Sequence, residues 1–111
     1  MDKEIKKEWV EALRSSKYKQ CTGQLCKIDP ETQEKSYCCL GVLCDLHSQK
    51  TGEQFVINQL GLPKTVSDWA GLEYLPEVNY YGYRTKLSHL NDGDGKNFEE
   101  IADIIEQDKL L

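Results

Sequence analysis

The chain has 111 residues, 39% of them hydrophobic and 30% charged, with 8 Gly and 3 Pro. Folding such a chain buries roughly 60 to 70% of its unfolded surface, enough for one modest core, which excludes two domains, disorder and low-complexity repeats. The net charge is -5, so the uniformly basic footprint on which general duplex nucleic-acid binding depends is missing.

Chain order then gives the elements. Ile5, Trp9, Ala12 and Leu13 recur at helical spacing with charges on the other face, which predicts an amphipathic helix from about Lys3 to Arg14. The stretch from Lys17 to Ile28 is polar and reads as extended chain. Asp29-Pro30-Glu31-Thr32 is turn chemistry, because Pro pre-sets its φ and Asp bonds back to the backbone, so a hairpin joining about Gln20–Ile28 to Lys35–Tyr37 is expected. Cys38 to Ser48 is apolar on nearly every side and predicts a buried central helix, with Gly41 allowing a close neighbour. Phe55-Val56-Ile57 has the composition of a short strand.

Pro63 suits the first turn of a helix carrying Val66, Trp69 and Ala70, and Gly71 is placed to end it. The aromatic run from Glu77 to Thr85 favours one strand with a kink at Gly82, followed by a helical turn at Leu87–Leu90 and a loop through Gly95. Asn97 with Glu100 three residues on marks the start of a last helix, which carries Phe98, Ile101, Ala102 and Ile105 and ends near Gln107. The sum is a single α+β domain over residues 1–111: an N-terminal helix, a buried central helix, a small antiparallel sheet and a C-terminal amphipathic helix.

Five cysteines, two of them adjacent, with no apolar leader before them, argue for free thiols rather than a disulfide framework. Cys21 and Cys26 lack the usual zinc-ligand spacing, and Cys38, Cys39 and Cys44 fall in the buried helix, where thiols pack as small hydrophobes. No metal is expected. Asp92 to Asp103 lacks the central Gly and terminal Glu of a calcium loop. No serine elbow, Walker loop or dinucleotide fingerprint is present, so neither catalysis nor a cofactor is expected.

The most informative run is Tyr80-Tyr81-Gly82-Tyr83-Arg84-Thr85-Lys86. Arg84 and Lys86 are the only basic side chains between residues 65 and 95, and they adjoin three of the 6 tyrosines. In a single strand Tyr80 and Arg84 share one face, and Tyr81 and Tyr83 the other. Rings for a planar ligand beside a guanidinium able to grip phosphate suit a nucleotide, with Trp69 lining the pocket edge. The alternative is cross-strand aromatic packing with both cations snorkelling to solvent.

Three stretches stand together in order: Trp9-Val10-Glu11-Ala12-Leu13-Arg14-Ser15, then Tyr37-Cys38-Cys39-Leu40-Gly41-Val42-Leu43-Cys44-Asp45-Leu46, then Leu90-Asn91-Asp92 followed by Phe98, Glu100, Ile101, Ala102, Asp103, Ile105 and Glu106. With Trp69-Ala70-Gly71-Leu72 between, the chain resembles a family of small uncharacterised proteins carried by phages and prophages. The resemblance covers most of the chain and implies a viral accessory role. No reaction is attached to it, and no catalytic residue carries over.

The expectation is therefore a non-catalytic counter-defence protein in the host cytoplasm, with no membrane partner. In one reading it is a homo-oligomeric sponge for a nucleotide-derived immune signal, bound by Trp69, Tyr80, Tyr81, Tyr83, Arg84 and Lys86. In the other it inhibits a host defence protein, using its acidic C-terminal half to occupy a basic surface.

Overall fold

In the computed structural model, which describes residues 1–111, helix α1 spans Lys3–Arg14 as its periodicity requires. The Asp2 carboxylate caps it by accepting the Ile5 N–H at 3.0 Å, and Ile5, Trp9, Val10 and Leu13 face inward. At the other end the Ser15 hydroxyl donates to the Ala12 carbonyl, and Ser16 turns into the left-handed region at φ 64°.

Strands β1 (Cys26–Ile28) and β2 (Lys35–Tyr37) form the first hairpin. Its turn is held by Asp29, whose Oδ1 accepts the N–H groups of Glu31 and Thr32 at 2.8 and 3.2 Å. Gln20 joins the far side of Tyr37 as a single parallel bridge. Helix α2 (Cys39–Thr51) runs through the middle of the molecule with every residue from Cys39 to Cys44 buried, and Gly52 at φ 77° ends it. Gly41 is a packing requirement, because a Cβ there would fall inside the van der Waals shell of the Leu25 carbonyl oxygen. The Trp9 indole, fully buried, donates to the Cys39 carbonyl at 2.9 Å and ties α1 to the start of α2.

The strand expected at Phe55-Val56-Ile57 does not form. Cys26 and Leu25 donate to the carbonyls of Ile57 and Gln59 at 3.2 and 2.9 Å, but no N–H of residues 55 to 57 returns a bond, so no ladder develops. Helix α3 (Lys64–Ala70) starts after Pro63 and stops at Gly71, φ 73°.

Beyond it lies the largest departure from the sequence reading. Glu77 to Lys86 is not one kinked strand but two, β3 (Glu77–Tyr80) and β4 (Tyr83–Lys86), folded back antiparallel on a turn at Tyr81-Gly82. Both turn residues have positive φ, 50° and 84°, the geometry that matches the right-handed twist of a two-residue hairpin. The protein thus has two separate two-stranded sheets where one was expected.

Helix α4 (Leu87–Asp92) leads to the loop before α5 (Phe98–Gln107), which opens with the full capping box of Asn97 and Glu100. The apolar stripe of α5 lies against α1, and Arg14 spans the seam to Asp103 at 2.6 Å and Glu106 at 3.1 Å. Buried Asn91 makes four hydrogen bonds and joins α4 to the start of α2 and to the Gln20–Cys21 segment. Its Oδ1 accepts from Gln20 Nε2 and the Cys39 N–H, and its Nδ2 donates to the Cys21 carbonyl and to Asp92. The architecture is a single α+β domain of five helices and two small antiparallel sheets.

Candidate functional site

The hairpin geometry redistributes the expected binding residues. Opposite residues of an antiparallel pair share a face, and Tyr80 pairs with Tyr83 while Asn79 pairs with Arg84. Val78, Tyr80, Tyr83 and Thr85 therefore line one face, and Glu77, Asn79, Arg84 and Lys86 the other. The expected sharing of a face by Tyr80 and Arg84 is overturned by the chain reversal at Gly82. Tyr81 belongs to neither face. It stands at the tip, 85% exposed, its ring edge-on to Tyr80 at 4.6 Å.

A groove of about 490 Å³ opens between the hairpin tip and α5, with Tyr80, Tyr81 and Gly82 on one wall and Asp103, Ile104 and Gln107 on the other. Asp108 closes its inner end. Arg84 opens instead into a separate hollow of about 310 Å³ with Met1, Leu72, Pro76 and Leu110. The tyrosine rings and the guanidinium do not converge on one space. Lys86 and Tyr83 line neither hollow, and Tyr83 projects 76% exposed. Trp69 lines neither hollow; it lies edge-on to His47 at 5.1 Å with Lys50 over its ring at 5.8 Å.

Arg84 is held by the protein itself. Its Nη1 lies 3.2 Å from Asp108 Oδ2 and its Nη2 donates to the Glu77 carbonyl at 2.9 Å. The Asp108 side chain, 1% exposed, also accepts the N–H groups of Asn79 at 2.6 Å and Leu110 at 2.8 Å. Burial pushes this carboxyl up, yet the two N–H groups and the guanidinium together outweigh burial and hold it below the usual carboxylate value. A phosphate approaching Arg84 would have to compete with a carboxylate already bound.

Asp108 and Asp103 escaped the sequence reading. A signal existed for Asp108, because an acid just past a helix C-terminus is unfavourable against the helix dipole unless something else engages it. Asp103 lies among the charged residues of α5, and its place on the groove wall depends on where the hairpin docks.

All five cysteines are free thiols, four of them buried. Burial pushes Cys38 up to about 11 and raises Cys39 and Cys44 further, so thiolate is scarce at neutral pH. Neither His47 nor His89 is hydrogen-bonded to a cysteine; His89 faces Asp94 at 3.6 Å. No group of three or more His, Cys, Asp or Glu side chains is arranged to hold a metal ion, and no helix is long and apolar enough to cross a membrane.

The profile of a family described as Domain of unknown function (DUF8296) matches residues 1–109. The chain belongs to that family. No curated protein and no solved structure matches it.

Proposed function

We propose that this DUF8296 protein is a non-catalytic binding protein that engages a basic surface of another protein through the Tyr81 tip and the groove beside it. In the phage setting suggested by the sequence resemblance, the partner is a host defence protein whose working surface becomes blocked. The observation that carries the reading is Tyr81 itself. A bulky residue at φ 50° is a backbone outlier, and a ring left 85% exposed gains almost no burial in return. Asn at this position of such a turn would be less strained. Retaining Tyr there makes sense where the ring is required by a partner, since tyrosines are enriched at the anchoring centres of protein interfaces.

The groove chemistry supports a cationic partner. Its walls combine two tyrosine rings with the amide of Gln107 and with Asp103, whose Oδ1 is held by Arg14 and whose Oδ2 carries no hydrogen bond, a setting in which an arginine or lysine of the partner gains ring-face attraction together with contact to Oδ2. The half of the chain from residue 51 onward, five basic against eleven acidic, favours the same encounter through its field.

The nucleotide sponge is the second reading, and one observation favours it: Lys96 Nζ lies 5.5 Å from the Tyr80 ring centre, a cation beside an aromatic face. It requires a phosphate to settle beside Asp103 and Asp108, whose arginine partners are already engaged, in a groove lined by no basic side chain.

Native mass spectrometry of the protein recovered from host cells, wild type against Tyr81→Ser, separates the two. The expected result is a stoichiometric host polypeptide on the wild type that is lost from the variant and released by raised salt. A retained small molecule of nucleotide mass would reinstate the sponge. Wild type and variant recovered equally bare would remove both readings.

A further inference from the structure

We infer that the outer edge of β4 receives an extended acidic strand of a partner protein, which adds a third strand to the β3–β4 hairpin. This surface is distinct from the groove beside Tyr81 and stands or falls independently of it.

The argument starts from the two-residue turn. It makes Tyr80 and Tyr83 a hydrogen-bonded pair, so bonded and non-bonded pairs alternate down the ladder, and Arg84 and Lys86 direct their backbone groups away from β3. Two fixed points agree. Leu87 N–H donates to the Pro76 carbonyl at 3.0 Å, the next bonded pair in phase, and Asn79 N–H leaves the sheet for Asp108.

On the β3 side the outward groups are covered, Asn79 N–H by Asp108 and the Glu77 carbonyl by Arg84. On the β4 side nothing matches this cover: no hydrogen bond from elsewhere in the protein reaches the Arg84 N–H and carbonyl or the Lys86 N–H. An open strand edge of this kind is a template for strand addition. Charged side chains often shield such edges, but the Arg84 guanidinium is folded back across β3 to Glu77 and Asp108, and Lys86 enters no ion pair.

Charge decides the occupant. Lys86 is the cation left without an ion pair on this strand, because Arg84 is already held by Asp108 and the Glu77 carbonyl, so a carboxylate of the incoming strand opposite Lys86 is matched while residues beside it meet Tyr83 and Thr85. A second copy fits badly. Two β4 edges paired through their outward backbone groups set Arg84 or Lys86 of one copy against Arg84 or Lys86 of the other, which gives neither Lys86 a carboxylate opposite it.

The test is a titration of isotope-labelled protein with a capped eight-residue peptide of alternating Glu and Val, followed by NMR. The expected result is movement of the Arg84 and Lys86 amide signals and slowing of their exchange with water, with the Lys-Val peptide inactive and the response unchanged in Tyr81→Ser. Lys86 has φ -67° and follows a strand residue, so Lys86→Pro deletes the outward N–H without disturbing the ladder. It should weaken binding at least tenfold, and Lys86→Ala, which keeps the N–H, only a few-fold. Unmoved edge amides, or equal response to the lysine peptide, would overturn the inference. Edge amides already protected in the free protein would do so too, by assigning the edge to a second copy. The wild-type amide data decide the matter even where Lys86→Pro does not fold.

Discussion

The α1–α2–α5 interior and the β3–β4 hairpin follow opposite rules. In the interior every large side chain is satisfied twice, by burial and by geometry. Trp9 is fully buried and its one polar atom finds the Cys39 carbonyl, and Gly41 is small because Leu25 needs the space. At the hairpin tip the reverse holds, with two tyrosines largely in solvent and one of them on a strained backbone. Only one residue of β3 and β4 is buried, Val78, and the hairpin is fastened to the body by that side chain, by Tyr80 packed against the core and by the Asp108 carboxylate. A fold whose interior wastes nothing while its edge displays aromatic surface has separated stability from display, and substitutions in the two regions should therefore fail in different ways.

The sharpest way to break the interior is Gly41→Ala. Within a helix Ala is ordinarily the better residue by about 1 kcal/mol. Here the added methyl meets backbone rather than a movable side chain, so the Leu25 strand entry and α2 must separate. The expected loss is about 3 kcal/mol, the upper part of the overpacking range, read as a fall in the urea midpoint with an unchanged slope. A neutral or stabilised variant would mean that Leu25 and α2 are not held together as tightly as their packing indicates.

Next in size is the link between the two regions. Asp108→Ala strips a buried acceptor from Asn79, Leu110 and Arg84, and leaving such donors unmet costs about 1 to 3 kcal/mol. Arg84 keeps partial access to water, so most of that loss comes from the backbone donors. Because the native carboxyl lies below its ordinary value, its stabilisation is complete above the unfolded value of about 3.9 and disappears as pH falls through the native one. The gap between wild type and variant, measured by denaturant unfolding, should stay constant from pH 8 to pH 5 and narrow below about pH 4, as the part that depends on the carboxylate charge is lost. A gap that does not narrow in acid would show that the charge of Asp108 adds nothing to its hydrogen bonding and packing.

The same division explains what could be read from residue order. The limits of α1 and α5 follow from local signals, a 3.6-residue apolar period with Asp2 at one start and Asn97 with Glu100 at the other. The burial of α2 follows from its near-continuous apolar surface. The hairpin turn stayed hidden because Tyr81-Gly82 lacks the Asn or Asp that normally announces two consecutive positive φ values. With the turn missed, both faces were assigned wrongly and Arg84 was set beside Tyr80. Its real partner, Asp108, is 24 residues away, and Asn91 reaches Cys21 across 70, separations at which no periodicity operates. Composition picks out the aromatic and cationic residues between Tyr80 and Lys86; only the chain reversal determines which of them share a hollow.

The smallest expected effect is also the one that tests the separation of stability from display most directly. Tyr81→Asn replaces a bulky residue at φ 50° with one that tolerates the left-handed region and leaves Gly82 in place. The lost ring is mostly in water, so little burial is given up apart from its edge contact with Tyr80. Relief of the backbone outlier should outweigh that contact and stabilise the protein by about 0.5 to 1 kcal/mol, a rise in Tm of a few degrees. The same variant should lose partner binding, since the ring is the part of the tip a partner would anchor on. Gain in one property with loss of the other is what a display residue predicts. If Tyr81→Asn instead lowers the Tm, the ring is part of the packing of the hairpin, and the strain at φ 50° is the cost of holding Tyr80 in place rather than a mark of recognition.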